Sequence, residues 1–171
     1  MLKTGLIAML VAGAAAGPAT AQERTVDLGD IKTVAGLLLQ AGYKAEIKKG
    51  KTGSTYIASA ANGNEFTLNF YNCKNDTGCD SFEFSSWYKK QPYFSAELAN
   101  EWNAKKRFLK IAVDGDGDLV EYVYVSAIGR STYKNFADYV DWFTQTDGSL
   151  ATFLREKEEA AKTTSGTTAT K

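Results

Sequence analysis

An α+β fold built on one antiparallel sheet follows from three features of the sequence. Apolar residues recur at helical spacing near both ends of the chain. The middle alternates apolar and polar residues in short runs, and tight-turn signals join those runs. The expected arrangement is an antiparallel β-sheet flanked by an N-terminal helix, a short middle helix and a C-terminal helix.

The first helix spans Asp30 to Ala41, with Ile31, Val34, Ala35 and Leu38 on one face, Asp30 as N-cap and Gly42 as the stop. Lys44 to Lys48 and Thr55 to Ala60 read as strands around the turn-like segment 49–53. Asn62-Gly63 is a two-residue hairpin signal leading into a strand over Glu65 to Tyr71. Ser81 to Tyr88 sets Phe82, Phe84 and Ser86 against Glu83, Ser85 and Trp87, so the two sets face opposite sides of the sheet. Beyond Pro92, Ser95 caps a short helix to about Lys105 that carries Leu98 and Trp102. Arg107 to Val113 and Leu119 to Ala127 form a hairpin around Asp114-Gly-Asp-Gly-Asp118. From Thr132 the helical rhythm returns in Phe136, Val140 and Phe143. Asp147-Gly148 is expected to break it, with Ser149 capping a continuation through Leu150, Phe153 and Leu154.

The chain begins like an exported protein. A basic start at Lys3, an apolar run from Leu6 to Ala16 and the small residues Ala19 and Ala21 make a signal peptide cleaved after Ala21. The apolar run falls well short of the ~20 residues that a membrane span requires. Residues 22–158 are then one domain. The charged, alanine-rich end and the Thr/Ser/Gly/Ala/Lys composition after it assign 159–171 to a disordered tail.

Twenty basic and twenty acidic residues balance and are interspersed, which argues against a nucleic-acid or anionic-membrane surface. The absence of histidine removes Ser-His-Asp and Cys-His nucleophilic sites and His-ligated zinc. No cofactor and no metal is expected. The two cysteines, Cys73 and Cys79, flank a loop of turn-forming residues between two strands. Two thiols supply half of a zinc site, and five intervening residues do not suit a thioredoxin-like centre. In an oxidising compartment they read as a structural disulfide. Asp114, Asp116 and Asp118 imitate the start of a calcium loop, but Leu119 and Val125 stand where Gly and Glu are needed. A plain Asp/Gly turn accounts for them.

Asn100-Glu-Trp-Asn103, then Arg107-Phe108, then Val113-Asp-Gly-Asp-Gly-Asp-Leu119 resemble the YbjN family of bacterial proteins. Ile31 to Tyr43 is similar to that family's first helix and the Gly-Tyr entering its first strand. The resemblance implies a fold like that of type III secretion chaperones: helix, antiparallel strands, helix, two strands, helix. It implies no catalytic residues, and it carries the label of a sensory transduction regulator. Folds of this kind commonly dimerise, which allows a homodimer.

The functional expectation is a periplasmic or secreted, non-catalytic adaptor or chaperone-like protein that holds an envelope protein or peptide. On a helical wheel, Asn100, Asn103 and Arg107 fall opposite Leu98 and Trp102. This polar stripe either braces neighbouring backbone or docks a partner. An aromatic patch of Trp87, Tyr88 and Tyr93 would instead suit a carbohydrate or cell-wall module. An enzyme using Asp114, Asp116 and Glu121 is the remaining class, and it requires those acids to converge on a concave site.

Overall fold

The computed structural model describes residues 24–167 and is mixed α+β. The expected signal peptide falls within residues 1–23, which together with residues 168–171 lie outside the described residues. The main sheet contains β2 (Glu46–Lys49), β3 (Thr55–Ala61), β4 (Asn64–Tyr71), β5 (Ser81–Tyr88), β6 (Lys110–Val113) and β7 (Leu119–Ser126). Their order is β2-β3-β4-β5-β7-β6, all antiparallel. The helices α1 (Ile31–Gln40), α2 (Ala96–Lys105) and α3 (Tyr133–Thr167) complete the order that the sequence predicts. β1 (Thr25–Val26) pairs with β8 (Ser131–Thr132) in a small second sheet that the sequence reading does not contain.

Local chemistry fixes the element ends. Asp30 accepts a hydrogen bond from the Thr33 amide at 2.6 Å, and Ser95 accepts from Leu98 N, so each capping oxygen satisfies an N-terminal amide. Asn62 and Gly63 both have positive φ, 54° and 84°, the mirror-image turn that matches strand twist. That turn also holds α3, because Asn62 Nδ2 donates to the Thr144 carbonyl at 3.0 Å.

Burial alternates along β3, β4 and β7, as it does in a sheet with one face covered and one open. Ile57, Leu68, Phe84 and Val123 lie in one register row on the covered face. Phe136, Val140, Phe143 and Leu150 of α3 close the core with Val34 and Leu38 of α1. Phe66, Phe84 and Phe143 form the aromatic centre, with ring centroids 5.1–6.2 Å apart.

The break expected at Asp147-Gly148 does not occur. α3 runs through it because Asp147 is buried and its carboxylate bonds across the core, leaving no cap to end the helix. The helix also continues to Thr167, past residue 159 where the composition places the start of a tail.

Cys73 and Cys79 form the expected disulfide. Their loop is a junction: Cys79 N donates to the Gly29 carbonyl and Ile31 N to the Asp76 carbonyl, so the loop seats the start of α1. Removing the link with Cys73→Ser and Cys79→Ser together is expected to cost about 2 kcal/mol, since the ring is small. The check is a lower urea midpoint with unchanged far-ultraviolet circular dichroism.

Candidate functional site

The face of the sheet opposite the core row is the open one. It carries Tyr56, Thr67, Glu83, Trp87, Tyr122 and Tyr124, the residues that alternate with the core row. Trp87 and Tyr124 are 55% and 62% exposed. A groove of about 310 Å³ lies on this face, floored by Ala58, Ala60 and Ser85 and walled by Tyr56, Lys44, Lys48 and Trp87. Small residues between aromatic walls leave room for an extended chain. Glu46 pairs with both Lys44 and Lys48, which puts charge along the sheet edge at β2 and blunts it against further strand pairing.

A second cleft, of about 430 Å³, opens around the end of β5. Trp87, Tyr88, Tyr93 and Phe94 line one side, and Ala151, Leu154, Arg155 and Glu158 of α3 line the other. Trp87 lines both cavities and stands as the ridge between them.

Behind the second cleft lies a buried polar cluster. The Tyr88 hydroxyl donates to Asp147 at 3.0 Å, and Asn64 Nδ2 donates to both oxygens of that carboxylate at 3.2 and 3.3 Å. Glu121 of β7 is fully buried beside them, and neither of its oxygens has a donor among the described residues. Asp147 is the charged group that acts on it, and since two carboxylates are both acceptors they can bond only through a shared proton. Burial first, and the facing Asp147 second, push the Glu121 carboxyl up to about 9. Burial likewise pushes the Tyr88 phenol up, with Glu121 and Asp147 adding to it.

α2 meets the other edge of the sheet. The Trp102 indole donates to the Leu109 carbonyl at 3.0 Å and packs on Phe153 of α3. Asn103 accepts from the Ile111 amide and donates to the Ile111 carbonyl, at 3.0 and 2.9 Å. Its side chain stands in for a further strand at the β6 edge. Lys110 Nζ caps the carbonyls of Asn103 and Lys106.

Residues 30–155 match the family described as "Putative bacterial sensory transduction regulator". The chain belongs to the YbjN family. No curated protein and no solved structure matches it. The matched span of this YbjN domain contains the α2 clamp, both cavities' β5 ridge and the Glu121–Asp147 pair. No helix among the described residues is long and apolar enough to cross a membrane.

The YbjN domain separates residues that the sequence grouped. Trp102 is held by the Leu109 carbonyl just before β6 and Asn103 by Ile111 of β6, whereas Asn100 is exposed. α2 ends at Lys105, so Arg107 lies in the following connection, over the Phe108 ring. Phe108 stacks on Trp142 of α3, centroids 4.9 Å apart, and both rings are partly exposed. Trp87, Tyr88 and Tyr93 share the second cleft but make no flat platform: Tyr88 turns inward to Asp147 and Tyr93 meets Phe94 edge-on. Asp114 and Asp116 stay on an exposed turn where the Asp114 carboxylate accepts the amides of Asp116 and Asp118. They do not converge with buried Glu121. No group of three metal-ligating side chains occurs among the described residues.

Sequence reasoning missed Asp147 and Asn64. Glu121 carries its own signal, since it keeps phase with Leu119, Val123 and Val125 along β7 and must therefore face the core. Nothing local marks Asp147, whose partners are 59 and 83 residues away in sequence.

Proposed function

We propose that this YbjN protein is a non-catalytic periplasmic adaptor that holds an extended peptide segment of another envelope protein. The observation that carries the reading is Trp87, an exposed aromatic ridge between a groove on the open sheet face and a cleft that α3 lines on its far side. Large aromatic side chains in such positions dominate binding energy when a partner desolvates them. The Cys73–Cys79 disulfide fits an oxidising compartment and the predicted export signal. The acids considered for catalysis support a binding role instead, because Asp114 and Asp116 lie on an exposed turn while Glu121 is buried in the core apart from them.

A photo-crosslinking residue placed at Tyr124, in the protein expressed with its own leader and recovered from the envelope, tests this reading. The expected result is one discrete adduct with another envelope protein, lost in Trp87→Ala, which should weaken binding by a factor of at least about thirty. An adduct with a second copy of this chain would assign the face to self-association. Retention on isolated cell wall without any protein adduct would favour the carbohydrate reading. A second surface, Arg107 with the Phe108–Trp142 stack, is distinguished in the same experiment by Phe108→Ala. Loss there, with Trp87→Ala unaffected, would move the site to it.

A further inference from the structure

The buried carboxyl pair and the second cleft share one piece of structure. Asp147, Ala151, Leu154 and Glu158 follow one another at i, i+4, i+7 and i+11, so they lie on one stripe of α3. The last three line the cleft, and the first is the tether one turn before them. Tyr88 belongs to both, lining the cleft while its hydroxyl holds Asp147. Glu121 faces that tether from β7, buried and without a donor.

We propose that Glu121, Asp147 and Tyr88 form a proton-operated tether that sets how closely α3 lies against the end of β5, and so the width of the cleft beside Trp87. This rests on the reading of that cleft as part of the binding surface, and it names the surface's control. With Glu121 protonated, its hydroxyl donates to Asp147 and the two carboxyls hold together. When the proton leaves to water, two negative charges face each other in the core with no cation between them. The strain falls on the contact between α3 and the sheet at that level. Tyr88 is the other titratable group facing Glu121, and its shift raises the phenol, so it stays a donor to Asp147 throughout. The neighbours of Glu121 in its register row, Ser86 and Ile111, do not titrate.

The linkage has one sign. Glu121 binds a proton in the folded protein over a range where the unfolded chain has lost it, from the ordinary value of 4.5 up to about 9. Its stabilising contribution is complete below that range and is lost as pH rises through it. Each pH unit in the range costs up to about tenfold in the folding equilibrium. Burial also raises Glu83 on the open face, which adds a slope of the same sign. The difference between wild type and Glu121→Gln therefore isolates the tether.

Two measurements on the full chain from pH 5 to pH 9 test it, and neither needs a partner. Stability against urea should fall with pH in wild type and much less in Glu121→Gln, with the gap between them widening at least tenfold in equilibrium constant. NMR signals of the Trp87 indole and of the Ala151, Leu154 and Glu158 amides should titrate together in wild type and stay flat in the variant. Glu121→Met is the second variant should glutamine's amide find no partner. Equal pH slopes in wild type and variants would overturn the tether. A stability difference with unmoved cleft signals would overturn its control of the cleft. If Trp87→Ala and Phe108→Ala both retain every adduct while the cleft signals titrate, the adaptor reading fails and the tether stands.

Discussion

Trp102→Ala is expected to destabilise the protein by about 3–5 kcal/mol, a large share of the 5–15 kcal/mol typical of a domain. The indole is 2% exposed, so truncation opens a cavity between α2, β6 and α3. The Leu109 carbonyl also loses its donor. Lys106, whose ammonium lies over the same ring, would be left against a void. Trp102→Phe separates the two contributions, because it keeps most of the ring and removes only the N–H. It should cost about half as much or less. Chemical unfolding of both variants measures this, and a loss under 1 kcal/mol in Trp102→Ala would refute the clamp. If the variant also lost hydrogen-exchange protection in β6 first, the edge-bracing role of the Asn-Glu-Trp-Asn segment would be localised there.

Asp147→Ala should cost about 3 kcal/mol at pH 5 and less at pH 9. At pH 5 it strands the Tyr88 hydroxyl, the Asn64 amide and the proton of Glu121, all without an acceptor in the core. At pH 9 Glu121 loses its proton, and removing the facing Asp147 then relieves a repulsion that offsets part of the loss. Asp147→Asn retains the shape and an acceptor oxygen, so it should fold well and show a weaker pH slope than wild type. Urea midpoints of the two variants at both pH values decide it. An Asp147→Ala penalty that grew toward pH 9 would contradict the shared proton.

What was readable in the sequence was local. The Asp30 and Ser95 caps act within three residues, and the Asn62-Gly63 turn requires only two positive φ values. The burial alternation of β3, β4 and β7 follows from a two-residue period, and it places Glu121 inside as firmly as it places Leu119. The disulfide joins residues six apart. What was illegible depends on distant partners. β1 and β8 are two residues each, too short for any period, and they pair across more than a hundred residues. Asp147-Gly148 looks like a helix end because both residues disfavour helix interiors. It is helical because Phe143, Leu150 and Leu154 bury on either side of it and Asn64 and Tyr88 take its carboxylate.

The candidate site divides in the same way. Trp87 was marked from its aromatic neighbourhood, but the side of the sheet taken by each ring follows from strand register and from which face the helices cover. Adjacent strand residues point oppositely, so Trp87 faces outward while Tyr88 turns to Asp147. The wheel that put Asn100, Asn103 and Arg107 on one stripe assumed a helix longer than α2, which ends at Lys105 when Lys106 takes an extended conformation. By itself, then, the sequence determined the order of the three helices and the main-sheet strands, the caps, the turn, the disulfide and the family, because each rests on neighbours in the chain or on a linear pattern. Tertiary structure alone decided the acid pair, the two grooves and the ridge between them, because a carboxyl becomes costly only when a packed core removes its water.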